Sequence, residues 1–150
     1  MLRELLHSIR ASIRGGTPSF TRAEEQLLSH VLAALPEDER SALRAQIDAV
    51  SLVQRQHVGR LVVAFYPKSK DVARLPYPGY DHCLAKVTYR FKGKKKTTAV
   101  VLHDGRLMSL EGNVPIAEGD IEPPVAVTLH PGKRSGVAID IDAEEHSRTK

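Results

Sequence analysis

The sequence predicts an α+β fold, with three N-terminal amphipathic helices packed on an antiparallel sheet of about six strands. Three observations carry this. Apolar residues recur at helical spacing through the first third of the chain. From Val58 onward the period shortens to two, and β-branched residues become frequent. Turn signals, above all Asp104-Gly105, separate the alternating stretches by a few residues. Strands that follow one another without intervening helices pair antiparallel, and helices gathered at one end of the chain define α+β.

In order, Leu2, Leu5, Leu6, Ile9 and Ile13 form one apolar stripe over residues 2–14, and Gly15-Gly16 end that helix. Thr17 to Phe20 connect. Thr21 followed by Glu24 is a capping box and opens a second helix to about Ala34, with Leu27, Leu28, Val31 and Leu32 on one face. Pro36 starts a third helix. Glu37, Asp38 and Glu39 suit its positive end, and Leu43, Ile47 and Val50 continue its stripe. The helical part is thus expected to reach about residue 52, and the β part to occupy about 55–142.

Val58 to Tyr66 reads as a strand ended by Pro67. Residues 67–81, with Pro67, Pro76, Pro78 and Gly79, read as a long loop. From His82 to Phe91, alternation puts Cys83, Ala85, Val87, Tyr89 and Phe91 on one face and Lys86, Thr88 and Arg90 on the other. The strand Thr98–His103 turns at Asp104-Gly105 into Arg106–Glu111, which sets Leu102 against Leu107 and Val101 against Met108. Apolar groups on both faces of this hairpin place it inside the sheet, with the helices over one face. Gly112 to Pro124 form a loop. Val125–Leu129 and Val137–Ile141 are the last strands, and the polar residues 143–150 are expected to fray.

With 150 residues and 41% hydrophobic composition, the chain fits one domain with a real core. Its net charge of +4 permits an acidic partner without requiring one. Cys83 is the single cysteine, which excludes an internal disulfide and a thiolate-rich zinc site, and suits a reducing cytoplasm. Charges interrupt the apolar residues of Met1–His7 too often for a secretory signal, and no apolar run approaches a membrane span. A cytoplasmic location is therefore expected, and the richness in Ala, Leu and Arg is bacterial in character.

Chemistry-bearing constellations are few. The seven histidines form no His-x-x-x-His pair and no HExxH motif. His82 and Cys83 are adjacent on a strand, where neighbours point to opposite faces and do not grip one metal together. His103-Asp104-Gly105 is accounted for by turn chemistry. Asp140, Asp142, Glu144 and Glu145 make an acidic row that reads as the wet face of an edge strand. No catalytic residue, cofactor site or metal site is expected. What stands out is Arg90, Lys92, Lys94, Lys95 and Lys96 around Gly93. At a hairpin tip these cations block edge pairing, and they also suit a phosphate backbone or an acidic protein surface. With Phe91 expected to face the core, base stacking is disfavoured.

The stretch "LHDGRLMSLEGNVP", Leu102 to Pro115, and the small α+β architecture resemble bacterial immunity proteins of toxin systems. The resemblance implies a non-enzymatic protein that binds and neutralises a cognate toxin. Such a binder would take its affinity from a few desolvated anchors and charge steering. The candidate anchors are Tyr66, Tyr77 and Tyr80, and Tyr77-Pro78-Gly79-Tyr80 presents two of these rings rigidly. Together with Arg90, Lys92, Lys94, Lys95 and Lys96, Tyr77 and Tyr80 are the expected partner-binding residues. A nucleic-acid-binding protein using Arg90–Lys96 is the alternative.

Overall fold

The computed structural model describes residues 2–3, 16–57, 60–68, 71–112, 116 and 121–130. Two helices, α1 (Arg22–Ala34) and α2 (Glu37–Ala49), pack on one face of a seven-stranded antiparallel sheet. The strands are β1 (Gly16–Thr17), β2 (Leu52–Gln56), β3 (Leu61–Phe65), β4 (His82–Phe91), β5 (Lys94–His103), β6 (Arg106–Gly112) and β7 (Glu122–Leu129). They lie in the order β1-β2-β3-β6-β5-β4-β7, so the β5–β6 hairpin is central, as its two apolar faces require. Apart from Leu2 and Arg3, the expected first helix falls outside the described residues, as do the Val137–Ile141 strand, the acidic row and the tail.

The helices begin where the sequence signals them. Thr21 Oγ1 accepts from Glu24 N (3.2 Å) and Glu24 Oε1 accepts from Thr21 N (2.9 Å), which closes the capping box. Pro36 caps α2, whose first turn is acidic. Arg40 reaches back to the last carbonyls of α1, donating from Nε to Leu32 O (2.8 Å) and from Nη2 to Leu35 O (2.8 Å). Leu27, Leu28, Val31, Leu43 and Ile47 then meet Val53, Val62, Val87, Val100 and Leu110 of the sheet in the main core.

Several elements differ from the sequence pattern. The third helix stops at Ala49, and Leu52–Gln56 forms β2 instead of a helical end. Val50 leaves the helical region at φ −58° and ψ 132°, and His57 at φ 50° turns the chain into β3, so the pair is a short hairpin the apolar stripe hid. β3 is correspondingly shorter than Val58–Tyr66. Gly16-Thr17 pairs with Val53 and Gln54 rather than serving as a plain connector. β7 starts at Glu122 and runs through a cis Pro123-Pro124 bond, three residues before the alternation that marked it.

Two bulges reset side-chain faces. On β4 the register passes from Cys83↔Val101 to Ala85↔Val100, so Leu84 is an extra residue. Cys83 therefore leaves the face of Ala85 and Val87. It joins Ala99, Val101 and the half-buried Met108 in a smaller cluster on the far face. Its thiol is pushed up by burial. On β6 the register passes from Val101↔Ser109 to Leu102↔Leu107, so Met108 is the extra residue and Val101 faces Ser109, not Met108.

Both tight hairpins have their two central residues at positive φ, the signature of a type I′ turn: Lys92-Gly93 at 49° and 75°, Asp104-Gly105 at 50° and 76°. Their surroundings differ. A Cβ on Gly93 would meet nothing within 4 Å, whereas one on Gly105 would lie 2.4 Å from Leu75 O. Gly93→Ala should therefore cost only the left-handed backbone penalty, about 1 kcal/mol. Gly105→Ala should also expel the 71–75 segment and cost about 3 kcal/mol. Urea denaturation of the two variants measures the contrast.

Candidate functional site

The seven residues singled out by sequence divide between the two ends of β4. Tyr77 and Tyr80 flank its start at His82, and the cationic residues surround its end at Phe91. Nine residue steps at about 3.3 Å put these groups about 30 Å apart. They do not form one patch.

At the far end, the ladder pairs Phe91↔Lys94, Arg90↔Lys95 and Tyr89↔Lys96. Alternation then sends Lys94 and Lys96 to the helix-side face and Arg90 and Lys95 to the other, with Lys92 on the turn. The finger is cationic on both faces. Arg90 and Lys95 stand directly opposite one another, an arrangement that destabilises a strand pair. Glu122 of β7 occupies the register position beside Arg90, yet Arg90 Nη1 donates to Gly93 O (3.0 Å) instead. None of the five cations is in an ion pair among the described residues. β6 ends opposite Thr98, so Lys94 to Thr97 project beyond it. Phe91 shares the helix-side face of the buried Tyr89 but lies past the core: it is half-buried, with Lys92 Nζ 5.2 Å from its ring centroid.

At the near end, irregular backbone brings together side chains that lie far apart in sequence. The Leu84 bulge turns His82 onto the helix side, opposite Leu102. His130, just past β7, is left-handed at φ 47°, and its amide donates to Leu84 O (2.8 Å). A non-glycine residue in that region is strained, and such strain gathers at places where a side chain must be aimed. The result is a chain of four polar groups. Tyr77 Oη donates to Glu39 Oε1 of α2 (2.6 Å) and lies 3.0 Å from His130 Nε2. His130 Nδ1 lies 3.1 Å from His82 Nε2. The His82 ring stacks on Tyr77 at 4.6 Å and 5°.

With both imidazoles neutral, donor counting sets the tautomers. Tyr77 has one proton and gives it to a carboxylate, so its oxygen accepts from His130 Nε2–H. His130 Nδ1 is then bare and accepts from His82 Nε2–H. The arrangement ties α2, the proline-rich loop, β4 and β7 into one clasp. The Tyr77 hydroxyl is pushed up to about 12 by lost hydration, then by its bond to Glu39 and the charges of Glu39 and Asp38. His82 is held below the ordinary histidine range, first by burial and then by the neighbouring His130.

The sign of the pH effect follows. The folded state prefers neutral His82, so the unfolded chain binds more protons below about pH 6.5. The stability contributed by this group is complete above that pH and falls as the solution is acidified. Stability should therefore rise between about pH 5 and pH 7. His82→Phe, which keeps a ring on Tyr77, should flatten that rise in thermal melts taken across the range.

Tyr77 is thus half-buried and engaged, whereas Tyr80 is 83% exposed, its ring 4.6 Å from His103. Tyr66 is tucked inward and donates from Oη to Leu107 O (2.7 Å). Sequence reasoning missed the Glu39–Tyr77–His130–His82 clasp because its members are separated by up to 91 positions and joined through a bulge. Tyr77 and His82, at the end of the proline-rich loop, were its only sequence-level trace. No group of three or more His, Cys, Asp or Glu residues among the described residues is arranged to hold a metal ion. No described helix is long and apolar enough to cross a membrane.

The chain is thus an α+β protein with helices on one face of an antiparallel sheet and a cationic finger at one end. Compared with known proteins, it matches no family model, no curated protein and no solved structure.

Proposed function

We propose that this chain is a non-enzymatic binding protein whose contact element is the β4–β5 finger, and that its partner is an acidic protein surface. The observation that carries the reading is the cross-strand pairing of Arg90 with Lys95, within a cluster of five cations that has no carboxylate ion pair among the described residues. Like charges held together in the free protein are relieved when an acidic surface covers them. In its most concrete form the protein is a cytoplasmic immunity-type inhibitor that occludes a cognate bacterial toxin. Tyr77 and Tyr80, some 30 Å from the finger, would belong to a second contact and not to the same one.

The test is co-expression with each product of the adjacent genes, with growth rescue and co-purification as readouts. Replacing Lys92, Lys94, Lys95 and Lys96 together by Ser should abolish both. It should leave stability unchanged or slightly raised, since like-charge repulsion is removed. Rescue by the substituted protein at full strength would reject the finger as the contact.

A second reading, nucleic-acid binding, is favoured by one observation. A two-stranded ribbon is an element that a major groove admits, and here the cations lie on both faces of one, next to a half-exposed Phe91. Titration of salt against duplex and single-stranded oligonucleotides separates the readings. Neutralising n phosphates should give a slope in log affinity against log salt of about −0.9n on duplex, and the four-serine variant should lose it.

A further inference from the structure

We propose that a cleft between β3 and β6 binds a small organic carboxylate, with Arg106 as the anion-binding residue. Neighbouring strands in a sheet lie about 4.8 Å apart and leave no cleft between them. Here the β3–β6 ladder ends at Val63↔Ser109, although both chains continue past that point. The Met108 bulge lies where the ladder ends. Beyond it the strands flank a cleft of about 320 Å³, with Ala64, Phe65 and Tyr66 on one side and Arg106, Leu107 and Met108 on the other. His103, paired across the turn with Arg106, stands at the same opening. Bulges are enriched beside functional sites because they re-aim a side chain. A volume near 300 Å³ is at the small end of ligand sites.

The guanidinium is the second, independent observation. Arg40, Arg44, Arg55, Arg74 and Arg90 each donate to at least one acceptor. Arg106 has none among the described residues, and its Nε is a buried donor without a partner. It is held instead over the ring of Tyr66, 5.0 Å from the centroid. Tyr66 is fixed in turn by its bond to Leu107 O. A guanidinium carries five N–H donors in a planar fork that matches a carboxylate, and this one lines the cleft with that donor capacity unused among the described residues.

The surroundings set the ligand class. No carboxylate among the described residues lines the cleft, and the nearby Asp104 is taken up by Arg74. One permanent cation with a neighbouring imidazole suits a monoanion. Phe65, Leu107 and the Met108 thioether offer an apolar bed for its body. A phosphate would need more donors and would gain nothing from that bed. This site lies at the opposite end of the sheet from the cationic finger and does not depend on what the finger meets.

The experiment is an NMR titration of the full-length chain with benzoate, benzyl alcohol and inorganic phosphate. The expected result is saturable benzoate binding that shifts resonances at residues 64–66 and 106–108. The affinity should fall at least about tenfold for benzyl alcohol and in Arg106→Gln, the loss of a charge-assisted bond. Arg106→Lys keeps the charge without the fork and should bind several-fold more weakly than wild type, which also controls for a misfolded Gln variant. Absence of saturable shifts in the wild type would overturn the proposal. So would equal binding of benzyl alcohol, phosphate as tight as benzoate, undiminished binding by Arg106→Gln, or wild-type affinity in Arg106→Lys.

Discussion

Replacing Gln46 with Leu is expected to lower stability by about 2 kcal/mol, although Leu fills a similar volume and is the more apolar residue. Gln46 is fully buried on α2 and faces the sheet. Its Nε2 donates to Ala73 O (2.8 Å) and to Gly105 O (2.9 Å), and its Oε1 accepts from Leu107 N (2.8 Å). One amide thus ties a helix, the proline-rich loop and the β5–β6 turn together. Gly105 O retains the Leu75 amide as a second donor (2.8 Å), so the substitution orphans two groups, Ala73 O and Leu107 N–H. Ala73 is exposed and its carbonyl can turn to water, but Leu107 is buried, and a buried polar group left unpaired costs about 1–3 kcal/mol, more than the extra apolar surface returns.

Gln46→Glu sharpens the test. It keeps an acceptor for Leu107 N but turns an oxygen toward Ala73 O and Gly105 O, so it should be at least as destabilising at neutral pH as Gln46→Leu. Urea midpoints for the two variants decide the matter. If Gln46→Leu loses less than about 1 kcal/mol, the amide is a spectator, because that is no more than the typical effect of a single substitution. The loss also has a local signature. Amide exchange should accelerate first at Leu75 and Leu107, since these are the bonds the clamp protects.

How legible this architecture was depends on the range of the interaction. The Thr21/Glu24 capping box, the Asp104-Gly105 turn and the alternation of β4 from Ala85 onward are set within a few residues of each other, and they stand where the sequence put them. The strands β3 to β7 and their central hairpin follow from the same local rules, whereas β1 and β2 were hidden in what read as a connector and a helical end. What could not be read were the departures from period two. The Leu84 bulge moves Cys83 to the far face and His82 to the helix side. The Met108 bulge shifts Val101 onto Ser109 and accompanies the cleft beside Arg106. A bulge adds one residue and leaves no compositional mark, so alternation carried through it assigns every residue beyond it to the wrong face. Gln46 was equally invisible. Its partners lie 27, 59 and 61 positions away, and a polar residue on a helix reads as solvent-facing until the sheet that meets it is known. The site residues divide in the same way. The lysine finger was visible as composition, whereas Glu39, His82 and His130 become a clasp only through two backbone irregularities and a stacked tyrosine.

The second large effect is expected at Glu24 and Arg55, where one carboxylate serves two structures at once. Its Oε1 accepts from Thr21 N and from Arg55 Nη2 (2.6 Å), and its Oε2 accepts from Arg55 Nε (2.8 Å). Arg55 Nη1 also donates to Thr17 Oγ1 (2.9 Å), so the pair joins the start of α1 to β2 and β1. The Glu24 side chain is 2% exposed and that of Arg55 24%. Removing either partner leaves a charge facing the core without compensation, which costs about 3–5 kcal/mol in buried pairs. Glu24→Ala also loses half of the capping box, a further ~1 kcal/mol. Arg55→Met should cost about the same as Glu24→Ala, because the carboxylate it abandons is the more deeply buried of the two. The double variant Glu24→Gln/Arg55→Met keeps an acceptor for Thr21 N, removes both charges, and packs an aliphatic chain where the guanidinium lay. Hydrophobic replacement of a buried ion pair is often close to neutral, so the double variant should be more stable than Arg55→Met alone. A double-mutant cycle completed with Glu24→Gln should give a coupling of about 2 kcal/mol or more. Simple additivity in that cycle, measured by chemical denaturation at neutral pH, would show that the two charges are solvated independently and that the capping box alone holds the entry to α1.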